Sequence, residues 1–200
     1  MKILITEDQL NLLTTPKVDG LDSVIEKMIS AYPEIEEYKD PIIDFINKSG
    51  CKKIEFGHMN YGAGLSLHNS VLLNDELLKH PIEMLMFVIF HEIAHQYQFK
   101  KYGVEKMYEV YAGKLSIEDG ITFIYETEIT ADEFAFRKCK EFLKMGLLKK
   151  LPSEGIYKKM PKENLRDLYI GVQNILSKRK GDSPEEISQV LYNFIKIKMG

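Results

Sequence analysis

His91, Glu92 and His95 sit together in the run His91-Glu92-Ile93-Ala94-His95. On a helix, residues four apart lie one above the other, so the two imidazoles can grip one ion from a single rigid element. Glu92, adjacent in sequence, can aim its carboxylate at a water in the open coordination position. Zinc suits such a site because it accepts nitrogen ligands and has no redox chemistry. It also lowers the pKa of a bound water from 15.7 to about 7. Residues 84–90, Met-Leu-Met-Phe-Val-Ile-Phe, are apolar without interruption, so the helix is expected to be buried on all sides. Histidines and a glutamate on such a helix need partners, because an unpaired buried charge costs several kcal/mol.

An open catalytic site takes a third protein donor, and the segment 125–135 offers Glu126, Glu128, Asp132 and Glu133. Helical phase sorts them. Ile121, Ile124, Glu128, Ala131, Asp132, Ala135 and Cys139 share one stripe. Thr122, Glu126, Glu133, Arg137 and Lys140 share another, on which Glu133 and Arg137 form an ordinary i,i+4 pair. Glu126 and Glu133 are therefore expected in solvent. Glu128 and Asp132 are carboxylates on an apolar face, which a metal would explain. Glu128 is the expected third ligand, and Asp132 is expected to orient His91 through its other ring nitrogen.

The chain here resembles the gluzincin class of zinc metallopeptidases, through His91-Glu92-x-x-His95 followed by Glu128, Ala131, Asp132 and Ala135. It is also similar to the ImmA/IrrE-like and SprT-like small zincins. The resemblance spans roughly residues 65–140. It implies one Zn2+ held by His91, His95 and Glu128, with Asp132 behind His91. It also implies an edge strand before the active-site helix that holds an extended peptide, a place Leu65–Leu73 would fill. The function so implied is peptide-bond hydrolysis with Glu92 as general base, on a protein or peptide substrate. The alternative is a zincin-fold regulatory or binding module with little or no turnover, whose metal is structural. Further substrate contacts are expected from His68, Tyr97 and Tyr125. The opening residues Lys2 to Gln9 look like those of many phage-encoded proteins.

The elements that must position these groups can also be read. Lys2–Ile5 reads as a strand and Thr6–Gln9 as a capping box. Helical spacing covers Leu21–Ala31 and Glu34–Lys48, the second ended by Gly50. Lys53–Gly57 and Leu65–Leu73 read as strands joined through the turn Gly62-Ala63-Gly64. A long helix is expected from Pro81 to Tyr102, stopped by Gly103. Another spans Ile117–Met145 between Ser116 and Gly146. Helices over Glu163–Lys178 and from Ser183 onward follow a proline-containing loop. The sum is an α+β, zincin-like single domain over 1–200: a mixed half to residue 113 with a small sheet and the active-site helix, and a helical half from 114.

Composition closes off other classes. The 200 residues carry 27 basic and 30 acidic side chains, a net charge of -3, so no nucleic acid or anionic membrane is an expected partner. Cys51 and Cys139 are too few for a disulfide framework, a cysteine zinc site or an iron–sulfur cluster. No signal-peptide pattern or membrane span is read, so a cytoplasmic location is expected, the host cytoplasm for a phage-encoded chain.

Overall fold

The structure, a computed structural model, describes residues 17–59, 63–111, 116–152 and Ile170, Gly171, Asn174 and Lys178. The expected strand Lys2–Ile5, the capping box after it and the helix from Ser183 lie outside the described residues. Of the expected helix Glu163–Lys178, the four described positions are helical.

Helix α1, Leu21–Ala31, buries Leu21, Val24, Ile25 and Met28, the i, i+3, i+4, i+7 stripe of an amphipathic helix. Gly20 turns the chain into it at φ 77°, and a Cβ there would lie 2.2 Å from the Ile54 carbonyl oxygen. Only glycine fits both demands. The expected helix Glu34–Lys48 is instead a 3-10 turn over Pro33–Tyr38 followed by α2, Lys39–Ser49. Pro41 is the cause. It has no N–H to give to residue 37, so the α-helix must restart with proline inside its first turn.

Three strands follow: β1 (Lys53–Gly57), β2 (Gly64–Leu67) and β3 (Ser70–Asn74), in the order β1-β3-β2. β1 runs parallel to β3, and β2 pairs antiparallel with β3 in the register Leu65↔Leu72 and Leu67↔Ser70. The expected single strand Leu65–Leu73 is thus a hairpin, reversed at His68-Asn69 with Asn69 at φ 66°. Asparagine tolerates that left-handed conformation, and no glycine marks the turn. The reversal also switches faces. Leu65 and Leu67 point away from the core, whereas Val71 and Leu73 are buried. Among the described residues, the parallel β1–β3 pairing leaves β2 as an outer strand, while the far side of β1 meets only a single bridge from Asp19.

Helix α3, Ile82–Tyr102, runs beneath the hairpin and is the centre of the molecule. It is buried on nearly every side, with Leu85, Met86, Ile89, Phe90 and Ile93 all at 0% exposure. Phe90 packs edge-on against Phe45 of α2, ring centres 5.1 Å apart. Pro81 caps α3 from just outside, one residue later than the sequence suggests for the helix start, and Gly103 ends it at φ 84°. A short helix α4, Val104–Tyr111, follows. Helix α5, Ile117–Met145, opens on Ser116, whose hydroxyl accepts from the Asp119 amide at 3.1 Å, and closes on Gly146 at φ 96°. Ala131, Ala135 and Cys139 lie fully buried on α5, and Phe136 meets Phe87 of α3 with ring centres 5.2 Å apart. The fold is α+β, mostly helical with one small sheet. Among the described residues, no helix is long and apolar enough to cross a membrane.

Candidate metal centre

The crossing of α3 and α5 brings His91, His95 and Glu128 together. One ligand atom from each lies within 4.8 Å of the others, a group that could hold a metal ion. The two Nε2 atoms are 3.1 Å apart. Glu128 Oε2 lies 3.2 Å from His91 Nε2, and its Oε1 lies 3.7 Å from His95 Nε2. Donors held 2.0–2.2 Å from a tetrahedral ion lie about 3.3–3.6 Å from one another. The two imidazole nitrogens lie near that spacing and Glu128 turns one oxygen toward each, so the three side chains could hold one metal ion.

The ring orientations follow from hydrogen bonds on the far side of each imidazole. His91 Nδ1–H donates to Asp132 Oδ1 at 2.8 Å, because a carboxylate can only accept. His95 Nδ1 meets Gln98 Oε1 at 2.7 Å. The Gln98 amide cannot be flipped, since its nitrogen donates to the Thr127 carbonyl at 2.7 Å and to Thr130 Oγ1 at 3.0 Å. His95 Nδ1 must therefore be the donor. Both Nε2 lone pairs then face one point, beside a carboxylate. That arrangement needs a cation between them, or a proton. Asp132 is 4% exposed, and its Oδ2 is buried with no hydrogen-bond partner among the described residues, a cost of about 1–3 kcal/mol.

Titration behaviour shows the same demand. Burial would lower the His91 pKa, but hydrogen bonds to Asp132 and Glu128 hold it well above the usual histidine value. Burial would raise Glu128, yet His95 and His91 draw it below the usual carboxylate range. Glu92, 7% exposed, is pushed up by burial and by Glu128, against the pull of His91 and His95.

Glu92 faces the sheet rather than α5. A Cβ on Gly64 would lie 2.7 Å from Glu92 Cγ and Oε1, so the start of β2 passes directly over this carboxylate. Gln96, one turn on, donates to the Ser66 hydroxyl, to the Leu67 carbonyl at 2.9 Å and to the Ser70 carbonyl at 3.2 Å. The hairpin is thereby strapped to α3 beside the candidate site.

The other expected contacts are placed elsewhere or less directly. His68 stands exposed at the hairpin tip, with its ring 5.8 Å from that of Phe99, seven residues past Glu92 on α3. Tyr97 lies on the side of α3 away from the imidazoles and packs on Phe134 at 5.5 Å, in a groove of about 630 Å³ between α2 and α5. Tyr125 is partly buried one turn before Glu128 on α5. The structure therefore groups His91, Glu92, His95, Glu128 and Asp132, and leaves His68 and Tyr97 outside the group. Glu126 and Glu133 are exposed, as their stripe requires. Gln98 and Gln96 escaped the sequence reading, and Gly64, expected in a turn, instead opens β2. Gln98 alone left a trace, lying three residues after His95, where a helical neighbour can reach back.

Compared with protein families, with curated proteins and with solved structures, the chain matches none.

Proposed function

We propose that the chain is a zinc-dependent metallopeptidase with a zincin-like arrangement. The observation that carries this reading is the convergence of His91, His95 and Glu128 within reach of one ion, with the carboxylate of Glu92 held beside an outer strand. Zinc, when bound, would act as a Lewis acid and bring the pKa of a water towards 7. Asp132 and Gln98 fix the two imidazoles so that each offers Nε2. Glu92 takes a proton from the attacking water at a carboxylate oxygen and gives it to the leaving amine nitrogen. Its pKa, raised by burial, suits both acceptance and return.

The strand β2 would hold the substrate. The Asn74 amide donates to the Ala63 carbonyl at 2.9 Å, which sets the parity of the ladder. In this register the N–H and C=O of Gly64 and Ser66 turn outward, unpaired by any other strand among the described residues and able to pair with an extended peptide. A closed structural zinc site takes four protein donors, whereas the group among the described residues has three. That supports turnover over a purely structural metal.

The test is Glu92→Gln, which keeps shape and removes the base. Zinc should remain bound while hydrolysis of an unstructured protein falls by about 10²–10⁴-fold. Unchanged hydrolysis in this variant would end the proposal.

A further inference from the structure

The inner face of β2 is nearly bare of side chain, with Gly64 beside Glu92 and the short Ser66 tied to Gln96. The outer face is different. Leu65 is 39% exposed and Leu67 44%, and Leu72, paired with Leu65, is only partly buried. Farther from the edge the same face turns polar, with Ser70, Lys53 and Glu55. The apolar surface is thus concentrated on the strand that adjoins the candidate site.

The ladder parity gives this patch a definite reach. A peptide added antiparallel to β2 makes hydrogen-bonded pairs with Gly64 and Ser66. Its intervening residues then lie opposite Leu65 and Leu67 in non-hydrogen-bonded pairs, where side chains approach most closely, Cβ atoms about 4.5–5.5 Å apart. Pleating puts those peptide side chains on the outer face, over the leucines. The peptide residue opposite Gly64 points inward, toward Glu92. Because the strands run in opposite directions, the residues opposite Leu65 and Leu67 precede the one opposite Gly64.

We propose that Leu65 and Leu67 determine substrate choice, selecting extended peptides with two apolar side chains, separated by one residue, on the N-terminal side of the bond cleaved. This rests on the peptidase reading and sharpens it. A polar side chain at either position would leave a leucine uncovered and lower kcat/KM by on the order of tenfold, the discrimination a simple apolar contact supplies.

The experiment digests a mixture of tryptic peptides from a whole bacterial proteome with the zinc-loaded full chain and reads cleavage sites by mass spectrometry. Wild type should enrich apolar residues at the two alternate positions. Leu65→Ser should erase the enrichment at one of them and Leu67→Ser at the other. Both leucines are exposed, and an unchanged thermal transition in each variant shows that the fold is intact. Cleavage without a paired apolar preference, or a preference that neither substitution moves, overturns the inference and leaves the peptidase reading standing. Wild-type and Glu92→Gln proteins that are equally inert overturn both. A wild-type dimer that Leu65→Ser and Leu67→Ser convert to monomer, with an unmoved cleavage profile, would show the patch to be an interface between copies and would also overturn it.

Discussion

Adding one methyl group at Gly64 should disable the site without touching a ligand. The ideal Cβ lies 2.7 Å from Glu92 Cγ and Oε1 and 2.9 Å from Cδ, whereas ordinary contact begins near 3.4 Å. Glu92 must therefore retreat by about 0.7 Å, the difference between those separations. A misplacement of about 1 Å in a catalytic group costs on the order of 10²-fold, so Gly64→Ala should lower kcat by roughly 10–100-fold. The fold should suffer less. Overpacking costs about 1–3 kcal/mol, and replacing glycine within a strand returns about 0.5–1 kcal/mol of that through the unfolded chain. Zinc content should stay at the wild-type level, because His91, His95 and Glu128 are not displaced. Gly57→Ala is the matched control: its Cβ would meet only Leu72 Cδ1, at 3.0 Å, on the same sheet. Hydrolysis of an unstructured protein by the zinc-loaded variants, with metal content measured alongside, reads both effects. Full activity in Gly64→Ala would refute the placement of Glu92 as base. Loss of metal with activity would show instead that the whole centre had collapsed.

A second series separates ligands from supports. Glu128→Gln should weaken zinc most, Asp132→Asn and Gln98→Leu by about 10–100-fold each, and Glu126→Gln not measurably, as competitive chelation would show; metal lost from Glu126→Gln and kept by Glu128→Gln would reverse the assignment. The metal-free protein should also carry a characteristic pH dependence. His91 is held well above the ordinary histidine value of 6.5, so its protonated form stabilises the fold fully below about pH 6.5 and that contribution drains away as pH rises through the folded value. The thermal midpoint of chelated protein should therefore fall across the range above pH 6.5. Zinc-loaded protein, whose His91 carries no proton at Nε2, should not show the fall, and identical profiles would count against His91 as a ligand.

The helices that carry the site were legible because their signals are local. Ser116 and Gly146 bracket α5 where the sequence places them, and Gly103 stops α3. Helical phase alone separated Glu128 and Asp132 from Glu126 and Glu133, since burial on a straight helix follows the 100° step. The hairpin was hidden for a physical reason. Leu65, Leu67, Val71 and Leu73 fall on one parity, which a continuous strand would place on one face, and His68-Asn69 turns the chain without glycine. Pro41 split the expected helix Glu34–Lys48 into a 3-10 turn and α2 in a way that apolar spacing does not register. Gly64 matters through the Glu92 carboxylate, and the Gln98 amide is fixed by the Thr127 carbonyl; both partners are distant in sequence, and no window along the chain contains them.

The central claim is that one metal ion is held by His91, His95 and Glu128. Its most direct test is equilibrium zinc titration of chelated wild-type protein beside His95→Ala, read as bound zinc per chain and as affinity. The account predicts one zinc per wild-type chain, and an affinity in His95→Ala reduced by more than the 10–100-fold typical of a supporting residue. Wild-type protein that takes up no zinc, or a His95→Ala variant that binds it as tightly as wild type, would contradict the account.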